Sequence, residues 1–168
     1  MKQKTIISLI FLSFTLISYG QHEWDNWDKN YKAENFINII NNEKKYADSI
    51  EANPKIVQYY LRLDKYKIAG QYMGKSRPID KEVFKTMKNV YKLFIGNPDE
   101  LDKMVYNEFL FEINGKKVWF PIQRQLEASL KKEIKKGQNT TLYCLFFNEH
   151  SVPNVLYNVF LISEFRVY

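Results

Sequence analysis

Two histidines, His22 and His150, and one cysteine, Cys144, are the scarcest reactive side chains in this 168-residue chain. Cys144 and His150 are in principle a pair of nucleophile and base. Cys144 lies among Leu142, Leu145 and Phe146. There a free thiol behaves as a small hydrophobe, and burial raises its pKa. That predicts a structural cysteine. One cysteine and two distant histidines make no zinc set. Glu108 and Glu112 share one face of a predicted strand, about 13 Å apart at strand rise, too far for a glycosidase carboxylate pair. No phosphate-cradling glycine loop or dinucleotide fingerprint occurs. Asn139-Thr140-Thr141 fits the glycosylation sequon but opens a predicted strand. The expectation is a protein without catalytic residues, metal or cofactor.

Basic and aromatic side chains carry more. Lys81, Lys85, Lys88 and Lys92 recur at spacings of 4, 3 and 4, which lines them up along one helix face at 3.6 residues per turn. Like charges at i,i+4 cost about a few tenths of a kcal/mol each, so a column without acidic partners is either a contact surface or a plain solubilising face. Lys75 and Arg77 precede it in a predicted basic turn. Trp119 stands on the side of a predicted hairpin opposite Val118, Phe120 and Ile122, and His150 in a predicted loop. Together Lys75, Arg77, Lys81, Lys85, Lys88, Lys92, Trp119 and His150 form the candidate binding set. A second set is Trp24, Trp27 and Tyr31, whose 3-then-4 spacing puts three rings on one helical face. They are either a sugar- or partner-binding platform or the docking face of an arm, and docking is the simpler reading because aromatic faces are usually buried.

The elements that must position these residues are legible in turn. Residues 1–20 have the pattern of a signal peptide, with Lys2 and Lys4 before an apolar stretch from Ile6 to Ile17 and small residues Ser18 and Gly20 before a cut. The apolar run is short of the about 20 residues that a span needs. The expectation is an exported, periplasmic or secreted product. Residues 21–55 are predicted as an N-terminal helical arm, with a helix over Ala33–Ile50 whose stripe is Ala33, Phe36, Ile39, Ile40, Tyr46, Ala47 and Ile50. Asn53-Pro54 ends it.

From residue 56 a barrel-like domain is expected to run to 168. Tyr66, Ile68, Gly70 and Tyr72 alternate as a strand over Tyr66–Met73, and Gly70 marks a bend. Tyr59–Leu63 fits strand or helix. Asp80 caps a helix running to Ile95, with Val83, Phe84, Met87, Val90, Tyr91 and Phe94 inward, Gly96 as its C′ stop and Pro98 beyond. Asn114-Gly115 between alternating runs is a strong hairpin signal. It joins Phe109–Ile113 to Lys116–Phe120. Gln123–Lys136 reads as a helix with Leu126, Leu130 and Ile134 inward and Gly137 as its stop. Lys131, Lys132, Lys135 and Lys136 then suit the negative end of its dipole. Thr140–Phe147 and Val155–Phe165 make a last strand pair, joined by Asn148–Asn154.

Three strands, a helix and two strands over Tyr66–Phe165 resemble the OB-fold, a five-stranded Greek-key barrel. The fold class expected is therefore α+β, a β-β-β-α-β-β barrel with an extra helix between its first two strands. The resemblance implies ligand contact on the face of strands two and three and in the one-two and four-five loops. Here those are Phe109–Phe120, Lys75–Lys103 and Asn148–Asn154.

Charge narrows the partner. The chain carries 25 basic and 19 acidic side chains, a net +6. Without Lys2 and Lys4 the balance is 23 against 19, or +4, too weak to imply nucleic acid. The excess lies in 71–168, with 15 basic and 11 acidic residues. The sequence therefore points to an exported, non-catalytic binding module that meets an unidentified acidic ligand or envelope protein through a basic, aromatic face. The alternative is an exported immunity- or inhibitor-type protein docking through its aromatic arm.

Overall fold

The computed structural model describes residues 24–53, 55, 59–151 and 155–167. The leader over 1–20, His22, Pro54 and the tip of the expected four-five loop lie outside the described residues. Five α-helices and six strands are described. A helix over 24–30 (α1) leads into β1 (Lys32–Ala33), α2 (Phe36–Glu51) and β2 (Tyr59–Pro78). After α3 (Lys81–Phe94), a 3-10 turn (Pro98–Glu100) and the short α4 (Leu101–Met104) come β3 (Val105–Ile113) and β4 (Lys116–Gln123). Then follow α5 (Arg124–Glu133), β5 (Asn139–Ser151) and β6 (Val155–Val167). Among the described residues no helix is long and apolar enough to cross a membrane.

The fold is α+β around one mixed sheet, in the order β1-β2-β3-β4-β6-β5. Because β2 also pairs with β5, the hydrogen bonds run in a ring. The two-residue β1 lies outside that ring, parallel to β2 at Lys32↔Tyr66 and Ala33↔Lys67. The sixth strand was not expected. Its pairing also explains why α2 begins only at Phe36: Lys32 and Ala33 are extended. Asn35 then caps the helix, its Oδ1 accepting from the amides of Ile37 at 2.9 Å and Asn38 at 3.3 Å. Of the expected stripe, Phe36, Ile39, Ala47 and Ile50 are buried and Tyr46 is exposed.

Strand β2 is far longer than the predicted Tyr66–Met73. Its 20 residues would span about 65 Å if straight, so the strand has to curve from one neighbour to the next. Tyr59–Gln71 pairs with β5, and Gln71–Pro78 pairs with β3. Gln71 faces both Asn139 and Glu112. A bulge between Tyr72 and Ser76 holds Gly74 at φ 71°, so the expected turn Gly74–Pro78 is instead the end of the strand. Gly74 is also where another backbone comes close. A Cβ there would stand 3.2 Å from Lys136 Cβ. Two hydrogen bonds tie the same crossing, the Gly137 amide donating to the Tyr72 carbonyl at 2.7 Å and the Tyr72 amide to the Gln138 carbonyl at 3.1 Å.

The Asn114-Gly115 hairpin forms as predicted, with φ 51° and 76°, the two positive angles of a type I′ turn. Asp80 caps α3, its Oδ1 accepting from Glu82 and Val83 at 2.9 and 3.2 Å. Helix α5 stops at Glu133, three residues early, because Ile134 is extended at φ −107° and 2% exposed. Lys135 and Lys136 therefore lie beyond the helix. The dipole explanation holds for Lys131 and Lys132 alone.

Period-2 alternation sorts β5 into two cores. Leu142, Cys144 and Phe146 join Phe109, Phe111, Phe120, Phe160 and Ile162 inside the ring, closed by Phe36 and Ile39 of α2 and by Leu130 of α5. Phe147 faces the other way, with Val159 and Leu161, and meets Met87, Val90 and Tyr91 of α3. Each such ring buried contributes about 1.5–3 kcal/mol. The Phe146 and Phe160 centroids are 4.7 Å apart.

Candidate functional site

Three neighbouring strands build the best-defined group of charged and aromatic side chains. Arg77 on β2 is in register with Glu108 on β3, and Glu108 with Pro121 on β4. Trp119 stands two residues earlier on β4, opposite Leu110. Side chains two apart share a face, so Arg77, Glu108 and Trp119 meet outside the ring. The Arg77 guanidinium carbon is 4.2 Å from the Trp119 ring centroid, a cation–π geometry. Its Nε donates to Glu108 Oε1. Glu108 is 1% exposed and the Arg77 side chain 49%. Burial pushes the Glu108 carboxyl up; the Arg77 hydrogen bond and charge pull it partly back, and Asp80 adds to the rise. Among the described residues the two Nη groups of Arg77 have no recorded hydrogen bond. Held flat on an indole, they form a fork suited to a carboxylate or phosphate.

The lysine column is only partly as expected. Lys81, Lys85 and Lys92 are exposed, away from buried Met87, Val90 and Tyr91. Lys88 is not part of a free row. Its Nζ lies 2.7 Å from Asp102 Oδ2 and 3.7 Å from Asp99 Oδ1, and 5.4 Å from the Phe84 ring centroid. These acids raise its pKa. Lys85 approaches Glu82 at 3.7 Å. The assumption of a column without acidic partners was thus wrong, because α4 and its 3-10 turn fold back beside α3. Lys75 is exposed next to the Gly74 bulge, two residues before Arg77. Lys81 opens α3 four residues after Arg77, and from there the column extends about 16 Å along the helix.

His150 does not join them. It was expected in a loop, but β5 extends to Ser151 and pairs His150 with Tyr60 and Leu156. The imidazole is 1% exposed. Its Nδ1 is 3.1 Å from the Val155 carbonyl and its Nε2 3.5 Å from Glu51 Oε1. Cys144 is fully buried, with its thiol pKa raised by desolvation. Six residues along β5 put it about 20 Å from His150, so the two do not meet. Glu112 is half-buried opposite Lys117. Among the described residues no cluster of His, Cys, Asp and Glu could hold a metal ion.

The aromatic arm is turned onto the sheet. The rings of Trp24, Trp27 and Tyr31 lie 5.8, 5.6 and 5.6 Å from that of fully buried Tyr143. Asp28 completes the contact. Its Oδ1 accepts from Tyr143 at 2.9 Å and Lys67 at 2.7 Å, and Arg166 stands 3.8 Å from Oδ2.

Sequence reasoning missed the acidic partners: Glu108 under Arg77, Asp99 and Asp102 beside Lys88, and Asp28. Another is Glu43, 3% exposed on α2 and bonded to Arg62. Glu43 had one signal, a lone carboxylate at a stripe position between Ile39 and Ala47. No family model, curated protein or solved structure matches the chain.

Proposed function

We propose that this chain is an exported, non-catalytic binding module whose basic, aromatic face contacts an acidic ligand or protein of the cell envelope. The contact centres on Arg77 and Trp119, extended by Lys75 and by Lys81, Lys85 and Lys92. The observation that carries the reading is the Arg77–Trp119 stack. A guanidinium 4.2 Å from an indole, anchored through Nε to a buried carboxylate, is ordered before any partner arrives. Less side-chain entropy is then lost on binding. Lysines along α3 add long-range attraction that speeds association. His150 and Lys88 drop out of the binding set, one buried and the other neutralised.

The same reading takes the ring as an OB-like barrel. Its order β2-β3-β4-β6-β5, with β4 parallel to β6 at Ile122↔Ile162, supports this, with β1 and α3 as additions. On that view Arg77, Glu108 and Trp119 occupy the face that OB-folds use for ligands. The immunity- or inhibitor-type alternative is less favoured, since Tyr31 is buried and both arm tryptophans pack on Tyr143.

Capture from the chain's own envelope extract tests the proposal, with the chain immobilised as wild type, as Arg77→Ala and as Lys81→Glu/Lys85→Glu/Lys92→Glu. One acidic species should bind the wild type, elute as salt rises and be lost from both variants while their melting temperatures hold. Equal capture by all three would overturn the proposed face.

A further inference from the structure

Register brings two segments together at the open end of the β3–β4 hairpin. Val105, the first residue of β3, pairs with Gln123, the last of β4. Lys103 and Met104 of α4 precede the one, and Arg124 and Gln125 of α5 follow the other. Between them lies a pocket of about 310 Å³ lined by Lys103, Met104, Gln123, Arg124 and Gln125. Both charged residues of this lining are cations. Arg124 differs from the chain's other arginines. Arg62, Arg77 and Arg166 each meet a carboxylate within ion-pair distance, whereas Arg124 and Lys103 have no acidic partner among the described residues. Arg124 is nevertheless held in place. Its guanidinium carbon is 4.9 Å from the Tyr106 ring centroid, and its Nη1 is 3.5 Å from the Tyr106 hydroxyl. A guanidinium carries several N–H donors, so most of the fork stays open. The Gln125 amide donates to Gln123 Oε1 at 3.0 Å, which leaves the Gln123 NH2 group as a further donor.

Two unneutralised cations beside one small pocket repel each other, and an anion that bridges them removes that cost. A guanidinium fork matches two oxygens of a carboxylate or phosphate, and an ammonium adds a point charge. We propose that this pocket is a second binding site, independent of the Arg77–Trp119 face, that takes a small doubly charged oxyanion between Arg124 and Lys103, with Gln123 as a neutral donor. Volume limits the ligand. About 310 Å³ is at the lower end of small-molecule sites, which suits a phosphate or a short dicarboxylate. Gln123 lies four residues beyond Trp119 on β4, about 13 Å at strand rise, so a ligand of that size does not reach both places.

Nitrogen-15 NMR reads the pocket residue by residue. The purified protein is titrated at about pH 7.5 with sodium phosphate, sodium succinate and sodium acetate, against sodium chloride at matched ionic strength. Saturable shifts at Lys103, Gln125 and the Arg124 Nε–H are expected with phosphate or succinate. Acetate should bind about two- to fivefold more weakly, the worth of one exposed charge contact. The tighter of the two dianions tells a phosphate head from a dicarboxylate. Arg124→Gln should weaken binding about tenfold, as loss of a charge-assisted hydrogen bond does, and Lys103→Gln should erase the preference over acetate. Both side chains are exposed, so both variants should melt as the parent does. Arg77→Ala should leave these shifts intact, whatever it does at its own face. Shifts no larger than those with chloride would overturn the site. So would dianion binding unchanged by Arg124→Gln, or equal affinity for acetate, which would mark unspecific ion pairing instead.

Discussion

The Tyr143 hydroxyl donates to Asp28 Oδ1 at 2.9 Å, tying α1 to β5 across 115 residues of sequence. The bond makes each partner keep its own charge state. Burial and the neighbouring carboxylate push the Tyr143 phenol up to about 12. Hydrogen bonds from Lys67 and Tyr143 hold the Asp28 carboxyl below its ordinary 3.8. A phenol raised in the folded state loses stability as pH climbs from the ordinary 10 towards about 12. Burial also raises the phenols of Tyr31, Tyr60, Tyr66, Tyr72 and Tyr91. Ultraviolet titration should therefore show several late phenolates, of which the one near pH 12 is lost in Tyr143→Phe. That variant should also cost about 1 kcal/mol and loosen the arm.

Acid behaviour follows from two buried carboxylates. Burial raises both Glu43 and Glu108 above the ordinary 4.5, although Arg62 and Arg77 each oppose the rise. A carboxyl raised by folding binds its proton more readily in the folded state, so stability grows as pH falls through the raised value and levels off below 4.5. Asp28 acts oppositely, its contribution being lost as pH falls through its depressed value. The melting temperature should thus rise on mild acidification and drop under stronger acid. In Glu43→Gln/Glu108→Gln the rise should vanish and the drop remain.

The column's lysines should separate into two kinds. Charge reversal at Lys81, Lys85 and Lys92 should change stability by no more than about 0.5 kcal/mol each, as exposed positions do, while weakening partner capture and its salt dependence. Reversal at Lys88 sets a carboxylate against Asp99 and Asp102. It should lower the melting temperature more than any of the other three.

Cys144 sits within the ring core beside Phe146 and Ile162. The native thiol should react slowly with thiol reagents and quickly in denaturant. Cys144→Ser should cost about 1–3 kcal/mol from a buried hydroxyl. Rapid native labelling would contradict the strand register.

What could be read locally was read well. The Asn114-Gly115 hairpin, the Asp80 cap and the apolar stripe of α3 as far as Tyr91 follow from residue types within a few positions of one another. These features depend on local backbone preference and hydrophobic period. Phe94, expected inward, is exposed where the helix ends.

Tertiary structure alone decided what pairs with what. A 20-residue β2 became a strand along its whole length because β5 and β3 supply hydrogen-bond partners in succession, whereas Tyr59–Leu63 carries no decisive period of its own. Lys88 lost its place in a free column when a separate segment brought Asp99 and Asp102 beside it. His150 became buried because the ladder outran the expected loop. Arg77 and Trp119 are 42 positions apart, and no spacing rule connects them. Their contact exists because register sets β2, β3 and β4 side by side. Propensity and capping act over a turn or two of chain, so the sequence determines the elements and their inward faces. Ion pairs and stacked rings form between distant segments, where register and chain reversal choose the neighbours.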